Sequence, residues 1–186
     1  PEIDFILERE QRAGTLQRMR DAGELPVRVT HNDTKINNVL LDADTRRALC
    51  VIDLDTVMPG LSAYDFGDAI RFGASTAAED ERELERVRLD LNLYRVFTRG
   101  FAEACPSLTR AERDVLPLGA FVMTLECGLR FLADYINGDK YFSIDRESHN
   151  LDRARTQLKL ISEMESHWDE LMQINREEAY FRPDLG

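Results

Sequence analysis

The apolar positions of this chain change period along its length, and the change separates a strand-bearing stretch from a long helical remainder. Between Asp4 and Asp21, Phe5, Leu7, Ala13, Leu16 and Met19 stand among many charges, which predicts one exposed amphipathic helix. Ala22-Gly23-Glu24-Leu25-Pro26 ends it, and Val27-Arg28-Val29-Thr30 reads as a short strand. Two apolar runs, Val39-Leu40-Leu41 and Ala48-Leu49-Cys50-Val51-Ile52, flank the turn residues Asp42-Ala43-Asp44-Thr45, so they predict a β-hairpin. A loop through Met58-Pro59-Gly60 then leads to a helix that stops near Gly73, with Ser62 as its cap.

Beyond Gly73 the pattern is helical. The charged stretch 77–88 reads as a solvated face or loop, while Val87, Leu91, Tyr94, Phe97 and Phe101 recur at helical spacing. Cys105-Pro106-Ser107 breaks that helix. Thr109-Arg110-Ala111-Glu112 has the form of a capping box for the next one, about 110–136, which is apolar nearly all round and should be the central buried helix. Asn137-Gly138 closes it. Leu151, Ala154, Leu158, Ile161, Met164, Trp168 and Leu171 trace one stripe of a final long helix, and 176–186 reads as a tail. The expected fold class is mainly α with a small β-hairpin, in a single domain spanning 1–186.

Composition narrows the partners. With 186 residues, 43% hydrophobic and 32% charged, the chain can build one substantial core. A net charge of −11 disfavours nucleic acid and anionic membrane surfaces, but not a nucleotide whose phosphates are screened by Mg²⁺. The longest apolar stretch, Leu116 to Leu125, is too short to span a bilayer. Cys50, Cys105 and Cys127 are widely spaced and form no Cys-x-x-Cys, so they read as reduced, mostly buried thiols and point to the cytoplasm.

The polar residues between the first strand and the hairpin carry the chemistry. His31-Asn32-Asp33-Thr34-Lys35-Ile36-Asn37-Asn38 fits H-x-D-x-K-x-x-N, the catalytic-loop spacing of kinase-type phosphotransferases. Such chemistry needs a carboxylate to take the acceptor hydroxyl's proton and an oxygen ligand for the nucleotide's Mg²⁺, here Asp33 and Asn38. The hairpin then returns Asp53 beside Asn38 as a second metal ligand, with Asp55 as a further candidate. Lys35 is placed to offset charge on the transferring phosphoryl group, and His31 to brace the backbone. A literal Asp-Phe-Gly at Asp65-Phe66-Gly67 follows no strand. Asp65 and Asp68 are therefore read as acids of a helix N-terminus, one bracing the loop from behind.

Together these residues resemble the aminoglycoside phosphotransferase and choline kinase superfamily, which shares the protein kinase fold. The wording of 31–38, of Val51-Ile52-Asp53-Leu54-Asp55-Thr56-Val57-Met58-Pro59-Gly60, and of the segment from Met123 to Phe142 resembles its N-acetylhexosamine 1-kinase branch. The resemblance implies the C-terminal lobe of the kinase-like fold, with ATP and Mg²⁺ as cofactors and a sugar as acceptor. It implies Asp33 as base for the anomeric hydroxyl, Asn38 and Asp53 as Mg²⁺ ligands, and Arg130 and Tyr141 as sugar contacts. Glu126 and Asp134 are alternative intrahelical partners for Arg130. No Gly-rich phosphate loop precedes the catalytic loop in this sequence. The expectation is therefore a longer polypeptide whose N-terminal nucleotide lobe lies outside these residues, with little activity in this chain alone. Phosphorylation of an aminoglycoside or choline is the competing activity, and a non-catalytic binding module is the competing class.

Overall fold

The structure, a computed structural model, describes residues 1–181. Three short helices open it: α1 (Glu2–Leu7), α2 (Glu10–Ala13) and α3 (Thr15–Asp21). The single helix expected here is broken for local reasons. The Arg9 guanidinium takes the Phe5 carbonyl that a continuing helix would use, and its other face is bidentate on the distant Glu165. Gly14, a poor helix former, lies at the second break. Gly23, at φ +76°, ends α3 in a Schellman turn, with Glu24 N bonded to Met19 O and Gly23 N to Arg20 O.

Strand β1 (Arg28–Thr30) follows, then β2 (Val39–Leu41), β3 (Ala48–Val51) and β4 (Met58–Gly60). β2 and β3 form the expected hairpin, with Val39 opposite Val51. Its turn is closed by the Asp42 carboxylate, which accepts from Asp44 N and Thr45 N. The segment expected as a loop at 58–60 is a strand, antiparallel to β1 with Thr30 opposite Met58. That pairing joins residues 28 apart, and no local pattern announces it.

Helix α4 (Ser62–Gly73) packs Phe66 and Ile70 into the core. Ser62 is not its cap; its hydroxyl donates to Glu112 at 2.9 Å. Helix α5 (Leu91–Ala104) starts later than the apolar spacing predicts, because Asp90 caps it through Asn92 N and Leu93 N. Val87 is buried ahead of the helix. The capping box at Thr109 and Glu112 is present, but it opens only α6 (Arg110–Asp114). A separate α7 (Leu116–Ile136) follows. Pro117 has no N–H for the Arg113 carbonyl, so the helix cannot run through; Asn175 Nδ2 donates to that carbonyl instead, at 2.9 Å. The last helix is likewise two, α8 (His149–Ser166) and α9 (Trp168–Glu178), parted at His167, where the Ser166 hydroxyl bonds the Glu163 carbonyl.

Helix α7 packs between α4 and α8 as the central element. At 21 residues it is long and apolar enough by composition to cross a bilayer, more than the run 116–125 indicated, and here protein covers much of it. Gly67 and Gly119 let α4 and α7 touch backbone to backbone. A Cβ on Gly67 would meet the Gly119 carbonyl oxygen at 2.2 Å, and one on Gly119 would meet the Ala63 carbonyl oxygen at 2.2 Å. The strand region is fastened to this core through Glu112. Its carboxylate receives Arg28 bidentately from β1, Ser62 from α4 and its own capping N–H of Thr109.

Candidate active site

Asp33 follows Asn32, whose left-handed backbone (φ +62°) is held because its side chain bonds Thr30 Oγ1 and the Thr56 carbonyl. The loop is braced from below by Asp65, whose carboxylate accepts His31 N at 2.9 Å and Asn32 N at 2.8 Å. The Thr34 hydroxyl closes onto the Asp65 carbonyl. Burial pushes the Asp65 carboxyl up, against the two backbone donors that favour its charge. The three residues of the literal Asp-Phe-Gly thus brace the loop, fill the core and admit α7, and none is placed as a metal ligand.

The Asn38 amide ends a single 3₁₀ turn and donates from Nδ2 to both the Asp33 carbonyl and Asp33 Oδ2, each at 2.9 Å. Its Oδ1 is the atom left for a cation. Lys35 Nζ lies 3.1 Å from the same Asp33 Oδ2. Among the described residues no donor is bonded to Asp33 Oδ1. The His31 ring joins the loop to the hairpin. Its Nδ1 accepts Asp33 N at 3.3 Å, which leaves Nε2 to donate to the Ile52 carbonyl at 3.1 Å.

Asp53 comes one residue after Ile52, whose N–H bonds the Asn38 carbonyl at 2.9 Å, so the hairpin returns it towards Asn38 as expected. It is exposed and stands at φ +61°, uncommon for a residue with a side chain. Asp55 is exposed in the 3₁₀ turn after it. Among the described residues no group of three or more His, Cys, Asp or Glu side chains converges to hold a metal. Asn38 and Asp53, an amide and a carboxylate, are the side chains expected here as metal ligands, and both carry hard oxygen donors of the kind Mg²⁺ takes.

A cleft of about 680 Å³ opens beside the loop. Asn32 is part of its wall, together with Leu7 and Glu10 from the N-terminal helices, Tyr64 from α4, and Glu126 and Arg130 from α7. Arg130 is half-exposed, with its guanidinium 5.7 Å from the centre of the Tyr141 ring, so the two expected sugar contacts do meet. Of the two intrahelical partners open to Arg130, the structure gives Glu126, at 3.7 Å. Asp134 does something else. It accepts Lys140 N, Tyr141 N and Phe142 N, each at 2.9 Å, and these bonds hold its carboxyl below the usual range. This shapes the turn that presents Tyr141, which is 74% exposed and edge-on to Phe142. The sequence reading did not single out Asn32, Thr34 or Thr56 as loop braces, and residue type gave no signal for them.

The three cysteines are free, as expected, but Cys50 is exposed on the hairpin. Burial pushes the Cys127 thiol up to about 12.

Residues 2–101, more than half of the chain, match the sequence profile of the phosphotransferase enzyme family. The match spans the catalytic loop, the hairpin, α4 and most of α5, and ends before Arg130 and Tyr141.

Proposed function

The chain belongs to the phosphotransferase enzyme family, and from that premise we propose that it phosphorylates the anomeric hydroxyl of an N-acetylhexosamine at the expense of ATP. The observation that supports the phosphotransfer reading is the convergence of Asn38 Nδ2 and Lys35 Nζ on Asp33 Oδ2, which leaves Asp33 Oδ1 and Asn38 Oδ1 without a hydrogen bond among the described residues. Asp33 Oδ1 orients the sugar hydroxyl and accepts its proton as the phosphoryl group moves. An anomeric hydroxyl is more acidic than an ordinary alcohol, so a carboxylate is an adequate base. Lys35, released from Asp33, faces the transferred group and offsets its charge. Asn38 Oδ1 and Asp53 would hold Mg²⁺, with Asp55 available outside them; the ion would supply charge neutralisation across the phosphate oxygens. Arg130 and Tyr141 support the sugar assignment, a guanidinium fork and a ring face being common partners of a pyranose.

Eleven exposed large apolar side chains between 27 and 58 crowd the strands and the loops between them. In this reading a nucleotide lobe of the same polypeptide covers them and hands ATP to the loop. The reaction is assigned to the cytoplasm, where free cysteines persist.

A second reading has support of its own. Glu10 and Glu126 put two carboxylates on the cleft against one guanidinium, which suits a cationic acceptor such as an aminoglycoside or choline. ADP release by the full-length polypeptide with Mg²⁺, over hexosamines, aminoglycosides and choline, separates the two. Turnover on an aminoglycoside and on no hexosamine would sink the first. Asp33→Asn should lower kcat on the true acceptor by about 10²–10⁴-fold, the span of general-base catalysis, without moving the melting temperature. A smaller loss would remove Asp33 as the base.

A further inference from the structure

The turn that carries Asp53 is anchored at both ends, and each end is tied to His31. Upstream, Ile52 N donates to the Asn38 carbonyl at 2.9 Å, and the Ile52 carbonyl accepts His31 Nε2 at 3.1 Å. Downstream, the Thr56 hydroxyl donates to the His31 carbonyl at 2.6 Å, and the Thr56 carbonyl accepts Asn32 Nδ2 at 3.0 Å. Only Asp53, Leu54 and Asp55 lie between the two anchors. Beyond them β4 is pressed onto the start of the same loop: a Cβ on Gly60 would meet Thr30 Oγ1 at 2.3 Å and Asn32 Oδ1 at 3.2 Å.

Asp53 needs such anchoring. Its backbone is left-handed, at φ +61° and ψ +58°, although it carries a Cβ. An Asp usually enters this region with a local hydrogen bond from its own side chain. Asp53 stands at the cap position of a 3₁₀ turn, yet its carboxylate makes no capping bond. The conformation is therefore held by the bonds on either side, since strained backbone persists only where its surroundings over-determine it. We propose that Thr56 is a positioning residue for the divalent cation: it fixes the downstream end of the turn, keeps Asp53 left-handed and so sets the Asp53 carboxylate relative to Asn38. This role presupposes Asp53 as a Mg²⁺ ligand, as proposed above, and does not depend on which acceptor is phosphorylated. Freed at that end, the turn can relax, and ordering it again is charged to metal binding.

The test is Mn²⁺ binding to the full-length polypeptide with ADP, followed by the electron paramagnetic resonance signal of the free ion. Melting temperatures establish that each variant is folded. Thr56→Val keeps the side-chain shape and loses the donor, and it should weaken Mn²⁺ about three- to tenfold, the worth of one neutral hydrogen bond. Thr56→Ser still donates and should bind as the wild type does. Asn32→Gly tolerates the left-handed backbone but releases the Thr56 carbonyl, so it should weaken Mn²⁺ in the same sense. Made on top of Asp53→Ala, Thr56→Val should change the affinity by less than about twofold, because the ligand it positions is gone. A merely structural role would carry over in full. If Asp53→Ala weakens Mn²⁺, then wild-type affinity in both Thr56→Val and Asn32→Gly, or an equal Thr56→Val loss with and without Asp53, overturns this inference alone. Wild-type affinity in Asp53→Ala overturns the metal assignment of Asp53 and the inference with it.

Discussion

Residues 27–60 and residues 62–179 are held together by different forces. In the first stretch four short strands leave apolar side chains such as Val29 and Leu49 in solvent, and order comes from polar bonds to His31, Asn32, Thr56 and Asp65. In the second, Phe66, Ile70, Tyr94, Phe121 and Leu160 are fully buried, and packed side chains set the geometry. The difference separates positioning from stability. A loop can tolerate poor burial where its backbone is bonded to a rigid neighbour, and α4 is that neighbour through Asp65.

The sharpest way to break the comparison is to truncate each stretch. Phe121→Ala removes a ring with no exposure, packed edge-on to Trp168, and should cost about 3–5 kcal/mol in denaturant unfolding. Leu49→Ser, at a site 64% exposed on the hairpin, should stay within about 0.5 kcal/mol. Comparable losses at the two sites would mean that the hairpin is part of the core after all.

The fastening between the two stretches should respond to acid. Burial works against the charge of Glu112, yet Arg28, the Thr109 N–H and the hydroxyls of Ser62 and Thr109 outweigh it and hold the carboxyl down to about 2. Because the folded value lies below the unfolded one, the contribution is complete above the ordinary carboxylate range and is lost as pH falls from about 4.5 towards 2. At about 1.4 kcal/mol per unit it amounts to about 3 kcal/mol. Unfolding free energy measured across that window should fall accordingly, and Glu112→Gln should flatten the fall while lowering stability at neutral pH. An unchanged acid profile in that variant would show that the fastening does not depend on this charge.

Asp65 should matter less for stability than Phe121 or Glu112, and more than Leu49. Asp65→Ala leaves two loop N–H groups without their acceptor and should cost about 1–3 kcal/mol. It should also lower kcat more than it raises KM, because the loop that carries Asp33 loosens. A pure KM effect would mean that Asp65 acts on binding rather than on the alignment of the base.

Much of the site was legible because its signals are local. The spacing of Asp33, Lys35 and Asn38 sits within one loop, the hairpin is announced by its turn residues, and the demotion of Asp65-Phe66-Gly67 rested on its likeness to a helix entry; the strand that was not expected, β4, does precede it, but Asp65 lies inside α4. The breaks in the helices were not legible. Arg9 leaves its helix for Glu165, and the Arg113 carbonyl finds Asn175, partners that no window of neighbouring residues contains. The pairing of β1 with β4, and the use of Ser62 on Glu112 rather than as a cap, failed to show for the same reason.

By itself the sequence determined that a helical domain would form and that Asp33, Lys35 and Asn38 would share one loop, since both follow from short-range spacing and hydrophobic period. Tertiary structure alone decided which loop N–H groups the Asp65 carboxylate accepts, that Asp134 shapes the Tyr141 turn rather than pairing with Arg130, and that Glu126 faces the cleft. Each of those roles depends on which distant backbone group or cavity lies within reach of a carboxylate, and only the packing of α4, α7 and the loops fixes that distance.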